Sequence, residues 1–357
     1  MDIEKFLAPT YEELRPFREG QADPGFPVYP DLVERFLAAH ARPGEAPPRP
    51  DREVAHALAV CAGYGYAGGG TVATMMARLG LKAASCITFS EVVDAMLICT
   101  TAHLVQSRCG RLAILCYRGT EPLNLISWLT DADVHPEKVV LRPGQRPVTI
   151  HAGFHRNVRA TRFEVARALR AALLGLSLYD GHRLSHPLEA LYLTGHSQGG
   201  ALAALFALMA ETSSAYRPLA DKLRAVYTFG QPMIACPPLP GLCDPDGELG
   251  RKTFRFIYEK DVVPALPPTA SGRFQHFGHE HRLRRTGAHP AGDLPQNGRA
   301  TRQVGSLIEL PLAASAFFGD QMKWFRHLSF CYSLDDHFPH HYIQALQPAD
   351  RASEFGD

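Results

Sequence analysis

Apolar and polar positions along the chain fall into two regimes, short runs with strand character and longer stretches with helical spacing, and from residue 100 onwards the two alternate. His103-Leu104-Val105-Gln106-Ser107, a break at Cys109-Gly110 and then Leu112 to Tyr117 predict a hairpin. Its second strand is apolar on both faces and is therefore expected at the centre of a sheet. Short strands are expected at Val139 to Leu141 and Val148 to Ile150, around Pro143-Gly144, and a long amphipathic helix runs from after Phe154 to about Leu174. Leu191-Tyr192-Leu193 leads through a glycine-rich turn into the helix-forming run Ala201 to Ala210, and Ala225 to Gly230 and Thr253 to Tyr258 read as two further strands. Strands alternating with helices imply an α/β fold: a mostly parallel central sheet with helices on both faces.

Outside that core the pattern changes. Residues 1–50 are punctuated by Pro24, Pro27, Pro30, Pro43, Pro47, Pro48 and Pro50 around one short amphipathic helix near Leu32 to Ala39, which reads as a proline-rich arm laid over the domain. Asp51 is placed to cap a helix with Val54, Leu58 and Cys61 on its apolar face, and a second helix is expected from Thr71 to Leu79. Beyond Pro268 the periodicity weakens. Residues 284–303, rich in Arg, Gly, Pro, Asn and Thr, predict a surface loop, and the apolar stretch 305–319 is expected to pack as core rather than dip into lipid.

Composition narrows the function classes. The 357 residues carry 37 Lys and Arg against 36 Asp and Glu, a net charge of +1 that supplies no field for nucleic acid. The acidic start, Met1-Asp2-Ile3-Glu4-Lys5-Phe6, does not read as a secretory signal, and the longest apolar candidate, Ala201 to Ala210, is too short for a transmembrane span. A cytoplasmic location is the resulting expectation. The eight cysteines lack metal-ligand spacing and read as reduced and mostly buried.

The candidate chemistry centres on Gly195-His196-Ser197-Gln198-Gly199-Gly200, a Gly-x-Ser-x-Gly turn between a strand and a helix. In such a turn the serine backbone is strained, the flanking glycines remove side chains that would clash, and the following N–H groups open a helix whose N-terminus favours negative charge. This context marks Ser197 as a nucleophile. Six blocks in order, Tyr117-Arg118-Gly119-Thr120, His151-Ala152-Gly153-Phe154, Gly195 to Ala201, Tyr227 to Pro232, Asp261-Val262-Val263-Pro264 and Asp336-His337 with Tyr342, closely resemble the signatures of the class 3 lipases, α/β-hydrolases that include the fungal triacylglycerol lipases. The resemblance covers roughly residues 100–346. It implies an α/β-hydrolase domain over residues 51–350 with a variable insertion at about 269–330.

The resemblance also implies roles. A serine ester hydrolase needs a base for the serine proton, an acid to orient the base and donors for the oxyanion, in the order Ser, Asp, His. Asp261 follows a strand and falls in the family's acid block, whereas the competing Asp244 and Asp246 lie in a proline-glycine loop. His337 precedes a helix expected to start at Phe338 or Pro339, with Tyr342, Ile343 and Leu346 buried; His340 and His341 would face solvent on it. Thr120 and the backbone N–H of Gln198 are the implied oxyanion donors. The next segment stands where fungal members carry a lid, and its apolar face, Leu125, Trp128 and Leu129, fits either a cover over an acyl site or plain core. His276, His279 and His281 beside Glu280 lack zinc-ligand spacing, so neither a metal nor another cofactor is expected.

The function implied is hydrolysis of lipid-like carboxylic esters through an acyl-enzyme intermediate, at a membrane or micelle surface. Phospholipase A and acyltransferase activity use the same machinery, and a non-catalytic interaction scaffold is the alternative of a different class.

Overall fold

The computed structural model describes residues 1–14, 25–40, 49–120, 135–142, 144, 146–285, 301–304 and 332–357. Its frame is an eight-stranded sheet in the order β1-β2-β3-β4-β7-β8-β10-β11. Strands β1 (Asp2–Leu7), β2 (Ser85–Val93), β3 (Ile98–Gln106) and β4 (Leu112–Tyr117) pair antiparallel. From β4 onward, β7 (Ala190–His196), β8 (Leu223–Phe229), β10 (Thr253–Tyr258) and β11 (His279–Leu283) run parallel. A small antiparallel sheet, β5 (Pro136–Val139), β6 (Val148–His151) and β9 (Ala235–Cys236), stands apart from it.

The two-residue strand period divides the core into two layers. On β4, Leu112, Ile114 and Cys116 join a cluster with helices α2 (Arg52–Tyr64), α3 (Gly69–Leu79) and α6 (Pro339–Leu346). Ala113, Leu115 and Tyr117 face the opposite layer, built on α4 (Ala152–Leu173) and α5 (Gln198–Thr212). All six β4 side chains are buried, as the continuous apolar run requires of a central strand covered on both faces. Helix α5 is buried along its whole length, which is why its sequence is apolar all round rather than amphipathic. Asp51 caps α2 by accepting from Val54 N at 2.9 Å.

Two expectations need correction. The first 50 residues are more than an arm: β1 extends the main sheet, and α1 (Leu32–Ala38) inserts Leu32 and Phe36 into the core. Proline spacing concealed this because Asp2–Leu7 is an exposed edge strand with no apolar alternation. The weakly patterned region past Pro268 likewise contains β11, whose Glu280 is buried against Arg255 of β10 at 3.4 Å. The apolar stretch 305–319 lies outside the described residues. Among the described residues, no helix is long and apolar enough to cross a membrane.

Candidate active site

Strand β7 ends at His196 and α5 begins at Gln198, leaving Ser197 alone at the bend with φ 58° and ψ −131°. That is a costly conformation for a non-glycine residue, on the order of 1–3 kcal/mol, and the surrounding packing enforces it. A Cβ on Gly195 would stand 2.3 Å from the Gly199 carbonyl carbon, and one on Gly199 would stand 2.1 Å from the Tyr117 carbonyl oxygen. Only glycines let the strand, the helix and β4 approach this closely. The bend is further held by Ser197 N donating to Phe229 O at 2.8 Å.

Asp261 follows β10, its side chain fully buried. One carboxylate oxygen, Oδ1, accepts from Val263 N at 2.9 Å. The other, Oδ2, accepts from His337 Nδ1 at 2.8 Å and from the Tyr342 hydroxyl at 2.5 Å. Burial first, and the Asp261 charge second, raise the Tyr342 phenol well above its usual range, so it remains a donor to that oxygen. The donated Nδ1 proton leaves Nε2 as the basic nitrogen of a neutral imidazole. Among the described residues, neither that Nε2 nor Ser197 Oγ, both buried, has a hydrogen-bond partner.

The His337 loop is tied to the elbow. His196 Nε2 donates to the His337 carbonyl at 2.6 Å, and the two rings lie 4.5 Å apart between centroids. His196 Nδ1 meets the Tyr66 hydroxyl at 2.8 Å. Behind His337 the chain turns into α6, whose buried Tyr342, Ile343 and Leu346 seat it against α2 and β10. His340 is exposed, and His341 stacks on Tyr258 at 4.9 Å, so neither shares the position of His337. Asp244 and Asp246 are exposed turn residues.

Thr120 lies just past the C-terminal end of β4, and its hydroxyl donates to the Gln198 side-chain carbonyl. Gln198 opens α5, so its backbone N–H has no acceptor within the helix. Leu125, Trp128 and Leu129 lie outside the described residues. Sequence reasoning missed Tyr66, which sits in a short 3-10 turn (Gly65–Ala67) with no motif around it, and the bridging part played by His196.

A family model, Lipase (class 3), matches residues 114–271, which include the elbow, Thr120 and Asp261. Over this segment the chain is similar to the class 3 lipases. His337 falls beyond the matched span, and Tyr66 precedes it. A triacylglycerol lipase of Ricinus communis is 29% identical over 207 residues, covering 47% of this chain and 37% of the relative. A lipase of Rhizomucor miehei is 29% identical over 183 residues, covering 51% and 44%. The chain thus spans about two fifths of the length of these lipase relatives. Among solved structures, the Rhizomucor miehei lipase propeptide complex superposes with a TM-score of 0.53 at 18% identity, covering 96% of this chain and 99% of the other. The Rhizopus microsporus var. chinensis lipase gives 0.50 at 17% identity, covering 83% and 94%. These likenesses place the chain in the α/β-hydrolase fold.

Proposed function

We propose that the protein is a serine carboxylic-ester hydrolase of lipid-like substrates, acylglycerols included, with Ser197 as nucleophile, His337 as base and Asp261 as the group that orients the base. The observation that carries this reading is the arrangement around His337: Nδ1 is committed to Asp261 at 2.8 Å, and Nε2 is left without a partner. Other buried rings also keep an open nitrogen, His56 among them, but its Nδ1 is held by the Tyr29 hydroxyl, whereas His337 Nδ1 is held by a buried carboxylate, the partner a general base needs.

In this mechanism Ser197 Oγ attacks the ester carbonyl carbon while its proton passes to His337 Nε2, and the carbonyl oxygen becomes an oxyanion. The Gln198 N–H at the start of α5, together with Thr120, receives that charge, each donor contributing about 3 kcal/mol of transition-state stabilisation. Collapse of the tetrahedral intermediate breaks the bond to the leaving alcohol, which takes the proton from His337. Water, deprotonated by the same nitrogen, then attacks the acyl-enzyme and releases the carboxylic acid, returning the proton to Ser197. Asp261 stays ionised throughout and holds the imidazolium in place. Transfer of the acyl group to another acceptor, or attack on a phospholipid, would use the same groups.

The test is labelling with a fluorophosphonate probe, followed by turnover of esters of increasing chain length. Stoichiometric label on Ser197 is expected, with turnover in Ser197→Ala reduced by about four orders of magnitude or more. Undiminished hydrolysis in Ser197→Ala would refute the assignment and favour a non-catalytic scaffold.

A further inference from the structure

The β2–β3 hairpin carries an apolar tip. Val92, Met96 and Leu97 are 58, 56 and 58% exposed, and between them only Asp94 contributes a charge. Its position follows from the register. Strand β3 runs antiparallel to β4, and Thr101 O accepts from Arg118 N at 2.9 Å, immediately past the C-terminal end of β4. Residues 92–99 therefore project beyond that end of the sheet, where β4, β7 and β10 deliver Thr120, Ser197 and Asp261.

The tip is also held in place. Leu97 adopts φ 52°, a left-handed conformation disfavoured for a leucine, and its carbonyl accepts from Asn157 Nδ2 at 3.2 Å. The other atom of that amide, Asn157 Oδ1, accepts from Cys99 N at 2.9 Å, and Arg156 Nη1 donates to Met96 O at 3.1 Å. Asn157 is itself 3% exposed, so a buried amide of α4 is committed to fixing this turn. These bonds hold the backbone so that the apolar side chains stand outward, although folding them back would remove them from water.

From this we infer that the β2–β3 tip is a docking element for an uncharged lipid surface, inserting Val92, Met96 and Leu97 beside the catalytic rim. The inference rests on the ester-hydrolase reading only for its purpose, which is to bring the site to aggregated substrate. A second copy of the chain fits less well, because three side chains on a narrow turn expose on the order of 300 Å². A stable dimer buries about 800 Å² per partner. Apolar side chains of this number reach the boundary between headgroups and acyl chains. Asp94 and the Arg156 guanidinium bonded to Met96 O offset one another, and a tip without net charge argues for a zwitterionic or neutral surface over an anionic one.

The experiment is flotation with phosphatidylcholine vesicles, using Ser197→Ala protein so that the lipid stays intact. Met96→Asp combined with Leu97→Asn, the asparagine chosen because it tolerates φ near +52°, is expected to lower the vesicle partition coefficient by at least about tenfold. Met96→Trp is expected to gain a blue-shifted emission on adding vesicles. The same tip changes in the Ser197 background are expected to leave kcat/KM on a monomeric, fully soluble ester unchanged, which certifies the fold. If the double variant does not fold, Met96→Ser alone is compared. Equal partitioning of variant and parent, no binding by the parent, or a parent dimer that the tip changes dissolve would each overturn the inference. Failure of the parent enzyme on the soluble ester would instead sink the ester-hydrolase reading, and the flotation comparison would still decide the role of the tip.

Discussion

His196 Nε2 donates to the carbonyl oxygen of His337 at 2.6 Å, so the residue preceding the candidate nucleophile grips the backbone of the candidate base. A carbonyl can only accept, which puts the imidazole proton on Nε2 and makes Nδ1 the acceptor for the Tyr66 hydroxyl at 2.8 Å. Burial, reinforced by the neighbouring His337, holds the His196 pKa well below its ordinary value and keeps the ring in this neutral form. The alignment of Ser197 with His337 thus depends on a tyrosine from a turn that no catalytic motif includes.

Tyr66→Phe removes the donor and leaves a buried ring nitrogen unsatisfied, at a cost of about 1–3 kcal/mol. We expect a lower urea midpoint and a several-fold loss in kcat with KM little changed, because the base loses support while the rest of the site stays. Wild-type kcat together with wild-type stability would show that His196 needs no anchor.

Gly230, at the end of β8, has φ 59°, and a Cβ there would lie 2.7 Å from Asp261 Oδ2 and 2.8 Å from His337 Cε1. Gly230→Ala therefore pushes acid and base apart as well as straining the backbone. We expect a loss of kcat/KM of roughly a hundredfold, since displacements near 1 Å carry penalties of that size. Gly181→Ala is the matched control: φ is 79° and nothing lies within 4 Å of the added atom. It should cost about 1–2 kcal/mol of stability and no activity. Equal kinetic losses in the two variants would remove the steric argument.

Acid should unfold the protein well before its carboxylates titrate. Burial lowers the pKa of His103 to about 4 and that of His56 to about 3, and it holds His196 low as well. All three histidines are at most 3% exposed. In the unfolded chain each takes up a proton near pH 6.5. Between there and about pH 4 the unfolded state binds more protons, so stability is present above the unfolded value and is lost as pH falls, by up to ~1.4 kcal/mol per pH unit for each histidine. Urea titrations at pH 7, 6 and 5 should show a steep decline in midpoint. A flat profile would mean that these rings are protonated in place.

The parts of the site legible in the sequence were those fixed by local pattern. Gly195 and Gly199 mark the elbow because backbone contacts of 2.3 and 2.1 Å exclude any side chain there. Asp261 follows an apolar strand, and Tyr342, Ile343 and Leu346 share one helical face that seats the His337 loop. What escaped reading depends on partners distant in the chain. Strand β11 carries His279, Glu280 and Arg282, residues that look solvated until Arg255 and Thr301 are seen satisfying the buried carboxylate. Edge strand β1 mixes apolar and charged residues on each face, Ile3, Lys5 and Leu7 on one and Asp2, Glu4 and Phe6 on the other, and β2 was not anticipated at all. Tyr66 has no periodic neighbours; only the fold brings its hydroxyl to a ring 130 positions away.

The ends of the long excursion between Asp261 and His337 are clasped. Ser333 N donates to Lys260 O at 2.8 Å, Val262 N donates to Ser333 O at 3.3 Å, and Lys260 N donates to Asp336 Oδ2 at 3.1 Å. Although Asp261 and His337 are 76 positions apart in the chain, the segment between them leaves and returns through a single doorway. The entropy of closing such a loop grows only as the logarithm of its length, a doubling costing about 0.6 kcal/mol. Changes of length in the part of the excursion beyond β11 would pass little strain to the clasp, whereas β11 itself is fixed by its pairing with β10. Evolution, or a protein engineer, can therefore vary the length of the stretch beyond β11 while inheriting the Asp261–His337 pair unchanged, so that the two parts of the chain diversify on separate clocks.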